Sequence, residues 1–413
     1  MNYVTLAIPF FILAMLVEFL VGHFRKRQTY RLNDTINSLS MGTLSRLKSV
    51  LALGFSGLVF SAVVVKLGIE PRPTDNPWIW IVGFVAYDFC YYWKHRFGHE
   101  WRIMWASHAA HHQSEEYNLS TALRQTGTDY IGFVFYLPLY IAGLPLEVVV
   151  TVGSLNLIYQ FWVHTEHVGK LGFLEWVLIS PSNHRVHHAQ NPRYLDINYG
   201  GVFILWDRLF GTYQEELEEE RCVYGITQGL KSWNPIWANF HIWYETAAIS
   251  LKTARWQDKL GIWFRGPGWY PNDHRPEKVD WRYEKFDPRV SSFVGVYCFI
   301  QYWLLTGIGL AMIAYQSGLP RALVLMMFFW FCLSFYSMGR LMEAAQSGVV
   351  IELLRYCLLA VPLGYGFYAG VAETLLWSML GYGLVSSGVF FLGGNVRLGL
   401  KPEAISPPAD RSV

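Results

Sequence analysis

Closely spaced histidines are the residues of this 413-residue chain that are best suited to chemistry. Eight of the 13 histidines fall into three boxes: His95 and His99, then His108, His111 and His112, and then His184, His187 and His188. His164 stands between the second and third boxes. Neutral imidazole is a common ligand of iron, zinc and copper. The pattern therefore predicts a metal centre to which these nine histidines contribute.

The spacing inside each box indicates which imidazoles would act together. Residues three or four apart lie on one face of a helix, so His95 and His99 would point at one centre. In each of the two longer boxes, we expect the first two histidines, three residues apart, to do the same. The third histidine, His112 or His188, would point about 100° further round the helix and could bridge towards a second metal.

The number of ligands bears on the kind of metal site. Eight or nine imidazoles exceed what one tetrahedral zinc ion needs, and structural zinc sites usually contain sulfur ligands. None of the five cysteines forms a C-x-x-C pair, and a haem iron would leave most of the histidines unused. We therefore predict two metal ions, each with a position left open for O₂ or substrate.

The elements that position these residues are predicted to be membrane helices. The chain is 53% hydrophobic and only 15% charged, against roughly a quarter charged residues in soluble domains. Its net charge of +2, without a basic arm, argues against nucleic-acid binding. An apolar hairpin is predicted over 129–163, and seven apolar segments are expected to cross the bilayer: 3–22, 49–69, 78–93, 292–315, 320–338, 349–368 and 371–394.

Basic residues after the first predicted span set the orientation. Arg25, Lys26 and Arg27 place that flank in the cytoplasm by the positive-inside rule, and the histidine boxes fall on the same side. The predicted fold is an all-α, multi-pass helical membrane protein with a cytoplasmic-facing, histidine-rich di-metal domain. It would lie in the endoplasmic reticulum or the bacterial inner membrane. The predicted domains are N-terminal membrane helices (1–77), a catalytic domain (78–290), C-terminal membrane helices (291–395) and a disordered tail (396–413).

Polar residues near the boxes are candidates for orienting the imidazoles. A metal-bound imidazole usually donates its other N–H to a carboxylate or a carbonyl. Asp88, Asn183 and Asp207 are the main candidates for this second layer, and Glu166 and Asp196 are further ones. Asp88 is the sharpest case because a charge inside an apolar segment is costly.

The boxes and the residues around them resemble a known group of enzymes. The resembling stretches are 105–108, 117–125, 159–166, 181–188 (Pro-Ser-Asn-His-Arg-Val-His-His), 198–201 (Asn-Tyr-Gly-Gly) and 206–212. They resemble the fatty acid hydroxylase and sterol desaturase superfamily, and within it the branch that cleaves ether lipids. The resemblance covers about residues 80–245 and implies a di-iron centre, O₂ as the oxidant and a lipid substrate. For the ether-lipid branch it also implies tetrahydrobiopterin as the reductant.

The resemblance also implies functional roles for two residues besides the nine histidines. An acidic residue directly after the first box matters for activity in the family, and Glu100 occupies that place. A family histidine downstream of the boxes matches His241, in Asn-Phe-His, which the resemblance therefore adds to the predicted metal ligands. His167 departs from the family pattern and is left out.

Other functions stay open at this point. The main alternative is a sterol or fatty-acyl desaturase or hydroxylase that takes electrons from an external electron-transfer protein. No fused cytochrome or flavin module is indicated, and no G-x-G-x-x-G motif follows a strand. The boxes alone do not separate hydroxylation, desaturation and ether cleavage, because the placement of the substrate decides among them. A metal transporter or a non-catalytic scaffold would be a different class of protein.

Overall fold

The computed structural model describes residues 3–51, 55–275, 281 and 283–397, and in these ranges the chain is helical without β-strands. The first helices are α1 (Tyr3–Phe24), α2 (Leu32–Leu47), α3 (Phe55–Lys66), α4 (Trp78–Glu100), α5 (Arg102–His112), α6 (Leu119–Ala122), α7 (Leu137–Ile141), α8 (Leu146–Trp162) and α9 (Pro181–His188). They are followed by α10 (Leu205–Phe210), α11 (Pro235–Lys252), α12 (Trp256–Phe264), α13 (Ser292–Tyr315), α14 (Arg321–Met342), α15 (Gln346–Leu358), α16 (Ala360–Tyr368) and α17 (Glu373–Arg397). The all-α prediction is confirmed for these residues. Residues 398–413 of the predicted tail lie outside them.

Five stretches of the described chain are long and apolar enough to cross a membrane. They are Leu6–Phe24, Ser292–Gly318, Arg321–Met342, Gln346–Tyr368 and Glu373–Gly393. These five match the first and the last four of the predicted spans. The prediction of a multi-pass membrane protein is therefore confirmed.

The two remaining predicted spans differ from the structure. Within 49–69, helix α3 has only 12 residues, against roughly 20 needed to cross a bilayer, and residues 52–54 of that segment lie outside the described ranges. Helix α4 has 23 residues but carries Asp88, Lys94 and Arg96. Its charged second half extends beyond the predicted apolar segment and carries the first histidine box.

The chain divides into two compact units. The first contains the described residues of 1–31, 53–230 and 239–284, and the second contains those of 32–52, 231–238 and 285–413. All three histidine boxes and His164 belong to the first unit. In that unit α4 packs against α5 and α8, and α1 packs against α8, where the rings of Phe11 and Phe161 stack 4.1 Å apart.

The second unit packs the apolar helices α13 to α17 together with α2. It encloses a fully buried ion pair on α15, between Arg355 and Glu352. The Arg355 guanidinium also donates to Gln301 and Tyr382 at 2.8 and 3.0 Å, and the Glu352 carboxylate accepts from Ser337 at 2.7 Å. Because a charge in an apolar interior is tolerated only when it is paired and hydrogen-bonded, this network fixes how α13, α14, α15 and α17 pack.

Candidate metal centre

Nine buried or half-buried imidazoles form two adjoining groups in the first unit. Within each group the candidate ligand nitrogens all lie within 4.8 Å of one another. The first group consists of His95, His99, His108, His112 and His187. The second group consists of His111, His164, His184 and His188. The structure thus brings together all eight histidines of the boxes and His164.

The longer boxes divide between the groups differently from the expected pairing. His108 and His112 enter the first group together, whereas His111 enters the second. In the third box, likewise, the histidines four residues apart, His184 and His188, stay together. On a helix of 3.6 residues per turn, positions four apart differ by about 40° and positions three apart by about 60°. The closer alignment explains why the i, i+4 pairs point the same way, and each long box supplies ligands to both groups.

Hydrogen bonds fix the orientation of many of these rings. The Nδ1 atom of His95 lies 2.7 Å from the Tyr199 carbonyl, and that of His187 lies 2.9 Å from the Ile197 carbonyl. His111 and His164 pair in the same way with the carbonyls of Arg124 and Gln160, at 3.0 and 2.7 Å. A carbonyl can only accept, so Nδ1 carries the proton and Nε2 keeps its lone pair. Four rings therefore present a ligand nitrogen to the interior of their group.

The distances between these nitrogens fit metal binding. The Nε2 atom of His108 lies 2.9 Å from that of His95 and 3.1 Å from that of His112. In the second group, the Nε2 atom of His164 lies 3.3 Å from that of His111 and 3.1 Å from that of His184. Imidazole nitrogen binds zinc at about 2.0–2.1 Å, so two ligands of an ion of this size lie roughly 3 Å apart.

Buried nitrogens without partners support the same interpretation. The Nε2 atoms of His99, His187 and His188 are buried and have no hydrogen-bond partner among the described residues. An unpartnered buried polar atom costs free energy; a metal ion in the first group would satisfy His99 and His187, and one in the second group would satisfy His188. Burial also lowers the pKa of His111 to about 4 and holds the pKa values of His164, His184 and His188 well below the usual range. These rings are therefore neutral near pH 7, which is the form that binds a metal.

Local sequence explains how the boxes reach the site. Helix α4 ends at Glu100, and Trp101 is extended (φ −115°, ψ 122°) before α5 begins. This break lets two consecutive helices direct their histidines to one place. Helix α9 begins at a capping box in which Ser180 and Asn183 exchange side-chain to backbone hydrogen bonds, with Pro181 in the first turn. Asn183 therefore sets the start of the helix that carries the third box and contacts no imidazole through these bonds.

A loop over residues 196–203 orients the first group. Its carbonyls at Ile197 and Tyr199 accept from His187 and His95, and the Asp196 carboxylate lies 3.3 Å from Nδ1 of His99. Among the carboxylates considered from sequence, Asp196 is the one that the structure places against an imidazole. Its φ of +58°, rare for a residue with a side chain, shows that the loop is held in a specific conformation.

Two fully buried carboxylates hold this loop. Asp207 accepts hydrogen bonds from the backbone N–H groups of Tyr199 and Gly200 at 2.7 and 2.8 Å, and from Thr212 at 2.8 Å. Burial raises the pKa of Asp207 to about 7. Asp207 thus acts on His95 through the Tyr199 backbone and does not bind an imidazole directly.

Asp88 holds the other end of the loop. Its carboxylate accepts from the backbone N–H groups of Val202 and Phe203 at 2.8 and 3.1 Å, from Trp206 at 2.9 Å and from Asn156 at 2.6 Å. These bonds join α4 to the loop, to α8 and to α10. The cost of a buried charge is thereby offset by four donors, and Asp88 also acts on the histidines through the backbone.

Glu100 and His241 lie outside the two groups. Glu100 is 38% exposed and pairs with Arg96 at 2.7 Å; within the described residues no hydrogen bond joins it to the nine imidazoles. The Nδ1 atom of His241, on α11, lies 3.3 Å from the amide of Gln113. His241 therefore lies behind the second box, and its role as a ligand stays a prediction. His23, His167 and His274 are also absent from both groups.

Several groups that orient the rings could not be recognised from sequence. The carbonyls of Arg124, Gln160, Ile197 and Tyr199 accept the imidazole protons, and every residue type has a carbonyl. The Tyr199 ring, 1% exposed, lies 5.4 Å from the His99 ring. Its only signal in the sequence is its place in the Asn-Tyr-Gly-Gly stretch at 198–201.

Replacing Asp207 with asparagine is expected to loosen metal binding. The asparagine amide has one acceptor oxygen where the carboxylate has two, so the N–H of Tyr199 or of Gly200 loses its acceptor. The Tyr199 carbonyl, which orients His95, is then expected to shift. Loss of such an outer partner typically lowers metal affinity or activity about 10–100-fold. Metal retained after dialysis against a graded series of chelator concentrations measures the effect. Asp75→Asn, at an exposed position, is the matched control, and equal retention by the two variants would contradict the role given to Asp207.

Comparisons with known proteins agree with this geometry. The sequence profile described as fatty acid hydroxylase matches residues 80–212. Alkylglycerol monooxygenase of Homo sapiens is 37% identical over 371 residues, which are 88% of this chain and 82% of that protein. The protein of the same name from Xenopus tropicalis is 35% identical, over 87% of this chain and 81% of its own length. Ornithine lipid hydroxylase OlsE of Rhizobium tropici is 26% identical over 49% of this chain and 63% of its own length. No solved structure matches the chain.

Proposed function

Because the chain belongs to the fatty acid hydroxylase family, we propose that it is a membrane lipid monooxygenase that cleaves the ether bond of alkylglycerols. The chain is an oxidoreductase of this family, and the named substrate follows from the alkylglycerol monooxygenases that match most of its length. The observation that carries the proposal is the convergence of nine imidazoles into two adjoining groups. Two metal ions side by side suit oxygen chemistry on a C–H bond of a lipid.

We further propose that each group holds one iron ion. Members of the family are generally iron-dependent, and imidazole is a suitable ligand for iron. The first group offers His95, His99, His108, His112 and His187, and the second offers His111, His164, His184 and His188. When bound there, iron supplies the oxygen-activating redox chemistry that side chains lack.

The protein's own residues hold the rings and exclude water. The Tyr117 ring, 1% exposed, stacks against His164 at 5.6 Å and donates its hydroxyl to the Val163 carbonyl at 3.0 Å. Tyr199 covers the first group in an edge-on arrangement, with its ring 6.1 Å from that of His95. The loop carbonyls keep Nδ1 protonated, and the surrounding rings keep bulk water from the ligand nitrogens.

The proposed reaction balances with one molecule of O₂ and a two-electron reductant. One oxygen atom is inserted into a C–H bond of the carbon next to the ether oxygen, and the other leaves as water after taking up two electrons and two protons. The resulting hemiacetal collapses to a fatty aldehyde and glycerol. We propose tetrahydrobiopterin as the reductant, from the resemblance to the ether-lipid branch. Glu100 is proposed to contribute to activity from the position directly after His99.

We propose that the active site lies on the cytoplasmic face. The basic residues after α1 contact the segment that follows His164: Arg27 pairs with Glu166 at 2.7 Å, and Arg25 donates to the His167 carbonyl at 3.3 Å. The metal centre and this basic flank are thus on one side, which the positive-inside rule assigns to the cytoplasm. The endoplasmic reticulum and the bacterial inner membrane both satisfy this orientation.

The reductant that the enzyme requires distinguishes ether cleavage from the main alternative, a hydroxylase or desaturase fed by an electron-transfer protein. The purified protein, loaded with iron in lipid nanodiscs, is given an alkylglycerol with tetrahydrobiopterin or with a reduced ferredoxin or cytochrome. Aldehyde that forms only with the pterin is the expected result. Product formed only with the electron-transfer protein would support a hydroxylase or desaturase fed by that donor. Absence of aldehyde with any donor, while iron is bound, would contradict ether cleavage.

A further inference from the structure

An exposed apolar surface lies on the first unit. It is formed by the short 3₁₀ helix Gly172–Trp176 with the residue after it, and by α10. We call it the Trp176 surface, and it consists of Phe173, Leu174, Trp176, Val177, Leu205 and Leu209. Phe173 is 80% exposed, Leu209 69% and Trp176 67%. Large apolar side chains clustered at such exposure mark an interaction site.

The two elements of this surface are fixed to each other. Leu178 and Phe203 form an antiparallel bridge, and the N–H groups of Ile179 and Ile204 donate to the carbonyls of Val202 and Val177 at 2.8 and 3.1 Å. The surface is therefore a preformed part of the fold. Leu205 and Leu209, four residues apart on α10, lie on one face of that helix.

The packing beneath the surface connects it to the apolar helices α4 and α8. The Tyr159 hydroxyl, in the last turns of α8, donates to the Ile179 carbonyl at 2.7 Å. The ring of Trp206, on α10, lies 5.1 Å from that of Phe89 on α4, and Phe203 lies 6.1 Å from Phe84. Phe84 and Phe89 precede His95 by about two to three turns, so α10 lies along the apolar part of α4.

The outward sides of the same two helices are also apolar. On α4, Ile81, Val82 and Val85 are exposed, and on α8 Leu155 and Leu157 are exposed. Helix α8 packs along α1, one of the five candidate spans. Val85 is about one turn before Phe89, whose ring contacts that of Trp206 on α10. The Trp176 surface therefore lies beside the exposed apolar part of α4.

A cation borders the surface in the manner expected at a membrane interface. The Arg208 guanidinium lies 5.3 Å from the Trp176 ring and 3.8 Å from the Tyr213 ring, and it donates to the Glu175 carbonyl at 3.1 Å. Trp, Tyr and snorkelling Arg side chains concentrate at the boundary between acyl chains and headgroups.

We infer that the Trp176 surface inserts into the headgroup and acyl boundary of the membrane that α1 crosses. Its partner is the lipid bilayer itself, because the surface lies beside exposed apolar residues of α4, is joined to α8, which packs along the candidate span α1, and carries an interfacial cation. The Trp176 surface thus anchors the metal-binding unit at a defined depth in the membrane. This inference does not depend on which reaction the metal centre performs.

Spin labels in lipid nanodiscs test the insertion. Phe173→Cys and Leu209→Cys are labelled with a nitroxide in the full chain, and Glu218→Cys, at an exposed acidic position, is the matched control. The labelled wild-type chain corrects for the native cysteines, of which Cys357 is exposed. Power saturation then compares collisions with O₂, which concentrates among acyl chains, and with a water-soluble nickel chelate.

We expect the labels at 173 and 209 to shift towards O₂ and the label at 218 towards nickel. Nickel accessibility at 173 and 209 equal to that at 218 would overturn the inference, because the surface would face water. Low accessibility to both reagents would also overturn it, since the surface would then be covered by a second copy or another protein. Both readouts are independent of enzyme activity, so neither is affected by the identity of the substrate.

Discussion

Replacing His111 with alanine is expected to lower turnover at least about 100-fold and to remove one iron ion per chain. His111 is the histidine that the second box contributes to the second group, where we propose it as a ligand. Without it, three imidazoles remain there, and the Arg124 carbonyl loses the ring N–H that lies 3.0 Å away. Removal of an outer partner alone costs about 10–100-fold, so loss of a ligand should cost more. Product formation and iron content of the purified variant measure the two effects.

His167→Ala is the matched control for this experiment. His167 is close in sequence to His164 but belongs to neither group, so its removal should leave iron content and turnover near the wild-type values. A His111→Ala protein that keeps both its iron and its activity would exclude His111 from the centre. Loss of activity with full iron content would instead assign it a role other than metal binding.

Replacing Arg355 with methionine is expected to destabilise the second unit by about 3–5 kcal/mol. The substitution leaves the Glu352 carboxylate, 0% exposed, without its cation inside the apolar helices. It also removes the donors that hold Gln301 and Tyr382. Unfolding by SDS or heat in a mild detergent, followed by tryptophan fluorescence, measures the loss.

A double variant separates the charge from the packing. In Arg355→Met with Glu352→Gln, no unpaired charge remains, so most of the lost stability should return. Arg289→Met, at an exposed position, serves as the single-substitution control. If Arg355→Met unfolds like the wild type, the buried pair does not stabilise this unit; if the double variant is as unstable as the single one, packing and not charge accounts for the loss.

The sequence predicted the helical class, the first and the last four membrane spans, and which histidines cluster. Apolar runs of about 20 residues have few alternatives to membrane helices, and five of the predicted runs are found in the described chain. The predicted crossings at 49–69 and 78–93 are not among the five and stay predictions, because hydropathy does not show where a helix begins or ends. The 12-residue α3 and the charged end of α4 required the structure.

The sequence by itself determined which histidines are candidate ligands, because imidazoles at positions i, i+3 and i+4 of a helix lie on one side of that helix. The tertiary structure decided how they are shared. Within each long box the i, i+4 spacing aligns one pair and separates His111 or His187 from it. Which of these sets meet in one group depends on how three helices pack, which spacing along one helix does not encode. The tertiary structure also decided which groups orient the rings: backbone carbonyls, and Asp196, which lies 97 residues from His99. The loop that carries two of these carbonyls and Asp196 is held by Asp207, which is near in sequence, and by Asp88, 114 residues before Val202. Hydrogen bonds between segments distant in sequence form only when the fold brings them together, so no local pattern could have revealed them.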